Sequence, residues 1–90
     1  MHETKKPQDH QQHEFEFLHA EVLTGLTFSG IALGAAHEEK KTRNRVKARK
    51  AYDTLLRFLP GTSLAPDQEA EITSKLKELR GELQLLGEAV

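Results

Sequence analysis

Ninety residues, no Cys and a formal net charge of -1 exclude several classes of protein at once. A chain this short makes one domain rather than two, has no disulfide to supplement a small core, and lacks the overall basic field of a nonspecific nucleic-acid binder. Its opening residues, Met-His-Glu-Thr-Lys-Lys-Pro, do not follow the basic-then-apolar pattern of a secretory signal. With the absence of Cys, this sets the expected location as cytoplasmic.

Residues 1–13 are polar, with three His, three Gln and Pro7, and offer no apolar anchor after Met1. They read as a flexible arm preceding a single helical domain over 14–90. From Glu14 the apolar residues recur with helical period. The fold class expected is all-α, a three-helix bundle with helices at about 14–37, 42–59 and 66–86.

The first helix carries Phe15, Leu18, Val22, Leu26 and Leu33 as one stripe, while Leu23, Phe28, Ile31 and Ala35 widen it until the middle is apolar almost all round. A helix of that kind has to be covered on most sides. Val22 to Ala36 is uncharged for 15 residues, short of the about 20 needed to cross a bilayer, so it reads as a buried helix and no membrane association is expected. Its circumference is too wide for two neighbouring helices. Completion of the core by a second copy is therefore expected, most simply as a dimer, through Leu23, Leu26, Gly30, Leu33 and Gly34. Gly25, Ser29, Gly30 and Gly34 lower helix propensity but permit close approach of another backbone.

No Gly or Pro lies between Gly34 and Pro60, so a break between the first two helices rests on a change of period around His37 to Asn44. One continuous or bent helix is the alternative. The second helix turns Ala48, Ala51, Tyr52, Leu55 and Leu59 inward and ends at Pro60-Gly61. The third starts at Pro66, with Asp67 and Glu69 at the positive end of its dipole. Ile72, Leu76, Leu79, Leu83 and Leu86 follow at spacings of 4, 3, 4 and 3, the seam of a coiled-coil-like contact, and Gly87 closes the helix.

The most marked polar feature is a run of seven cations in eleven residues, from Lys40 to Lys50. Lys40, Arg43, Lys47 and Lys50 share one helical face, joined a turn or two later by Arg57. As a functional surface these five would bind phosphates or an acidic protein partner. As a structural feature they would be solvated or neutralised by the carboxylates of the third helix. Nucleic acid is not expected, because neither interleaved aromatics nor a reading motif accompanies the run. Cations in the first turn of the second helix would also oppose its dipole.

Glu16 and His19 have the Glu-x-x-His spacing of carboxylate-bridged metal helices, with His10, His13 and Glu14 nearby. A di-iron bundle needs two such motifs plus two further Glu on neighbouring helices. One motif is present, so neither a metal nor any other cofactor is expected. There is no Cys and no Gly-rich phosphate loop, and of Ser29, Ser63 and Ser74, the first lies in the apolar helix and the second in the interhelical loop with nothing to set a general base beside either. The chain is not expected to be an enzyme.

Ala48-x-x-x-Tyr52-x-x-Leu55-x-x-x-x-Pro60 resembles the second helix of a tetratricopeptide repeat, in which a small residue, an aromatic, a core residue and a closing Pro recur at this spacing. The first helix departs from that pattern, and no second repeat follows. Three-helix microtubule-interacting and trafficking domains are similar in outline. Both resemblances imply a surface that binds a peptide or protein. The function expected is thus that of a self-associating helical interaction module, with a binder of acidic partners or nucleic acid through the basic face of the second helix as the alternative and a metal-dependent enzyme behind both.

Overall fold

The computed structural model describes residues 7–90, with side chains from His10 onward. Three α-helices are present among them: α1 (Pro7–Gly34), α2 (Glu38–Phe58) and α3 (Pro66–Leu85), with a 3-10 turn over Leu59–Gly61. The all-α three-helix bundle read from the sequence is the fold.

The helix ends differ from expectation in ways with local causes. α1 starts at Pro7 rather than Glu14, so residues 7–13 of the expected arm are helical, while residues 1–6 lie outside the described residues. Proline suits the first helical position. The polar turns that follow are held by local and long-range bonds in place of apolar packing. Gln12 donates to Glu16 at 3.1 Å, His10 lies 3.3 Å from Glu14, and Gln68 of α3 donates to Gln12 at 3.2 Å.

Between α1 and α2 the chain breaks fully over residues 35–37, with His37 extended at φ -107 and ψ 137. A continuous helix is thereby ruled out. α2 begins four residues earlier than Thr42, and Glu38 and Glu39 occupy its first turn. The dipole argument against the cations consequently fails: carboxylates sit at the positive end, where they stabilise the helix.

Short connections make successive helices antiparallel neighbours. Pairs along α1 and α2 give the register: Phe17 meets Phe58 edge-on at 6.0 Å, and Lys47 lies 5.1 Å over the Phe28 ring. α3 returns parallel to α1, with His19 3.6 Å from Glu71 and Ser29 bonded to Glu82. α1 is thus the helix against which both others pack.

The core centres on Leu18, Val22, Ala48, Tyr52, Leu55, Ile72, Leu79 and Leu83. Removing a side chain such as Leu55 from water contributes about 1.5–3 kcal/mol. On α1 the inward stripe is Leu18, Val22, Gly25, Ser29 and Ala32, all buried. Gly25 marks the closest approach: a Cβ there would lie 2.7 Å from Leu79 Cδ2 and 3.1 Å from the Ala51 Cβ. One glycine therefore lets α1 approach both partners at a single level.

The end of α3 shows how local geometry sets a tertiary contact. Gly87 has φ +93, a conformation that costs glycine little. Its N–H reaches the Gln84 carbonyl at 3.0 Å, and Glu88 N–H reaches the Leu83 carbonyl at 2.9 Å, the paired bonds of a Schellman cap. The reversal turns Glu88 back toward α2. There its carboxylate lies 3.1 Å from Arg45 Nε and 2.8 Å from an Arg49 guanidinium nitrogen.

Candidate interaction surface

A helix advances about 100° per residue, so beyond the exposed Glu16 the face of α1 opposite its buried stripe is formed by Ala20, Leu23, Thr24, Thr27, Gly30, Ile31 and Gly34. All seven are exposed. None is charged, and the exposed apolar members include Leu23 and Ile31, 41% and 38% exposed. An ordinary surface helix places charges on that side. α1 instead has an outer face about as apolar as its inner one.

Of the residues expected at a self-association interface, Leu23, Gly30, Leu33 and Gly34 are exposed. Leu26 is not, since it is partly buried and packs against the chain's own core. A Cβ at Gly30 or Gly34 would meet no atom within 4 Å. Those two glycines do not serve close packing inside the bundle, unlike Gly25. Sequence reasoning missed Ala20, Thr24, Thr27 and Ile31 as members of this face. The signal that finds them is their helical phase relative to Gly25 and Ser29, two buried residues that hydropathy ranks low.

Length and composition make His10–Gly34 suited to crossing a membrane. In the bundle one side of that helix is occupied by α2 and α3, while the outer side meets none of the described residues.

The cation run of α2 divides in two. Arg45 and Arg49 turn toward α3 and share Glu88. Arg49 also donates to Asp53 at 3.0 Å, and its bonds to Asp53 and Glu88 raise its pKa above the usual value. Lys40, Arg43, Lys47, Lys50 and Arg57, the five expected to bind a partner, are all exposed. Among the described residues, none has a carboxylate within ion-pair distance. Lys47 and Arg57 instead lie over the rings of Phe28 and Phe58.

Glu71, Glu78 and Glu82 of α3 do not reach this row, because they lie on the other side of α1. Glu71 approaches His19 and Glu82 accepts from Ser29. Glu78, one turn before Glu82, falls on the same helical face. Viewed onto its outer face, α1 is an uncharged ridge with cations of α2 along one flank and carboxylates of α3 along the other.

The Glu-x-x-His pair is engaged elsewhere. Glu16 accepts from Gln12, while His19 stacks on Phe15 at 5.1 Å and points toward Glu71. Among the described residues no three His, Asp or Glu converge as metal ligands would. A shallow groove of about 350 Å³ between α2 and α3 is lined by Tyr52, Leu56, Thr73, Leu76, Lys77 and Arg80. Its polar lining is two cations, Lys77 and Arg80, and the hydroxyls of Tyr52 and Thr73, with no carboxylate or His.

No family model, no curated protein and no solved structure matches the chain.

Proposed function

We propose that this chain is a self-associating helical interaction module that uses the outer face of α1 to bind further copies of itself. One observation carries the reading: from Ala20 to Gly34 the side of α1 that the bundle leaves uncovered is formed by Ala20, Leu23, Thr24, Thr27, Gly30, Ile31 and Gly34, all exposed and uncharged, with Glu16 the charged residue one turn before them. Burying such a face contributes about 25 cal/mol for each Å² of apolar surface removed from water. The small residues let a second helix approach closely.

A second copy fits better than a bilayer. For α1 to span a membrane, Leu18 and Val22 would have to leave the core they share with α2 and α3, exposing Leu55, Ile72 and Leu79. A copy of the same chain covers the outer face without unfolding anything. On this reading the protein is cytoplasmic, non-enzymatic and without a cofactor, consistent with the lack of Cys and of a nucleophile set beside a base. Sedimentation at micromolar concentration tests it: a multiple of 10.2 kDa is expected, and Leu23→Glu should return the chain to a folded monomer.

The second reading is a binder of acidic protein partners through Lys40, Arg43, Lys47, Lys50 and Arg57. It is favoured by the division of the run, in which Arg45 and Arg49 are paired within the chain and these five are without a carboxylate partner among the described residues. Such binding would weaken steeply as salt is raised. Affinity indifferent to salt would count against it.

A further inference from the structure

Resting on the self-association reading, we infer that the copies assemble with their α1 helices parallel and in register, as a closed ring of three or four chains rather than a two-fold pair. The heights of the two charged flanks set this arrangement. α2 runs antiparallel to α1, so Lys47 stands level with Phe28. Lys50 stands level with Gly25, beside Ala51, whose Cβ abuts that glycine. α3 runs parallel to α1, so Glu82 stands level with Ser29 and Glu78 level with Gly25, beside Leu79.

Cation and carboxylate therefore occur at matching heights on opposite flanks of one apolar ridge, near Gly25 and again near Phe28 and Ser29. Within one chain α1 stands between them. Among the described residues Lys47 and Lys50 have no intramolecular ion pair, and neither does Glu78.

Orientation decides whether the rows complement one another. An antiparallel pair about a two-fold sets α2 against α2 and cations against cations. A parallel arrangement sets the α2 flank of one chain toward the α3 flank of its neighbour, at equal height. Order then decides whether they reach. With axes of packed helices about 9 Å apart, a parallel two-fold pair leaves α2 of one chain more than about 20 Å from α3 of the other. Three or four chains around a central axis of α1 helices bring that separation to between about 14 and 18 Å, which extended Lys and Glu side chains close. Each contact in such a ring is heterologous, basic flank to acidic flank, and the ring has no unmatched end.

Two measurements on the full chain test this, with circular dichroism confirming that each variant is helical. Single-Cys variants can be made without background, because the sequence has no Cys. Under oxidation Ala20→Cys and Gly34→Cys should each form same-site disulfides, whereas the two variants mixed should show no preference for the Ala20–Gly34 pairing. Preferential Ala20–Gly34 disulfides in the mixture would mean antiparallel packing and overturn the inference. Lys50→Glu and Glu78→Lys should each weaken assembly roughly threefold to tenfold, and mixing the two variants should recover it, at every contact of a ring of four, where the variants alternate, and at two contacts in a ring of three, since each supplies the charge the other lacks.

Failure of the mixture to recover, or a wild-type mass of two chains, would overturn the ring while leaving self-association standing. A monomeric wild type would remove both.

Discussion

Gly25 offers a quantitative test of how the bundle is packed. Replacing an interior helical glycine by alanine raises helix stability by up to about 1 kcal/mol. At Gly25 that gain is opposed, because the new methyl would sit 2.7 Å from Leu79 Cδ2 and 3.1 Å from the Ala51 Cβ. Leu79 is fully buried, so its methyl has little room to turn aside, and the Ala51 Cβ moves only with the α2 backbone. Overpacking of this kind costs about 1–3 kcal/mol. The net effect of Gly25→Ala is therefore a loss of about 0–2 kcal/mol.

Gly81 is the control. It is exposed on α3, and the methyl that alanine would add there meets no atom within 4 Å, so Gly81→Ala should keep the full propensity gain. The difference between the two variants isolates the packing penalty at about 1–3 kcal/mol, worth roughly 4–8 °C in melting temperature for each kcal/mol in a domain of this size. Urea unfolding monitored by circular dichroism measures it. If Gly25→Ala proves as stable as Gly81→Ala, α1 does not approach α2 and α3 in the way described.

Other substitutions probe separate parts of the account. Leu55→Ala, at a fully buried site on α2, should destabilise by about 2–5 kcal/mol in the same urea assay. Ser29→Ala removes the hydroxyl that donates to Glu82 and should cost about 1.5 kcal/mol or less, with a smaller loss when Glu82 is already Gln. Glu88→Gln removes the carboxylate shared by Arg45 and Arg49. Because both arginines are partly exposed, a small loss in urea stability is expected, diminishing as salt is added. Thr27→Glu puts a charge at the centre of the outer α1 face and should abolish association in sedimentation while leaving the helical signal intact.

How much of this is legible in the sequence depends on the contrast each helix offers. α3 alternates apolar and charged residues, so its seam from Ile72 to Leu86 and its start at Pro66 can be read directly. α2 likewise has one apolar stripe, and Ala48, Ala51, Tyr52 and Leu55 are buried as expected. α1 has almost no contrast between its faces, so hydropathy does not fix its phase. Leu33 falls on the inward stripe by spacing, yet it is 42% exposed. Gly25 and Ser29, which face the core, are small or polar and carry no hydropathy signal.

The start of α1 at Pro7 is hidden for the opposite reason. Its first two turns are held by Gln12, Glu14 and Gln68 through hydrogen bonds, and polar pairs across helices leave no periodic trace. For the cation run, helical spacing assigns the residues to faces but does not say which flank of α1 they border. That depends on the order of the three helices in space, and it separates the paired Arg45 and Arg49 from Lys47 and Lys50.

The central claim, that the outer face of α1 is a surface for further copies of the chain, is tested most directly by sedimentation equilibrium of the wild type beside Leu23→Glu at micromolar concentration. A wild-type mass that is a multiple of 10.2 kDa and a folded monomer for the variant are expected. A wild type that sediments as a single chain, or a Leu23→Glu variant that assembles as well as the wild type, would contradict it.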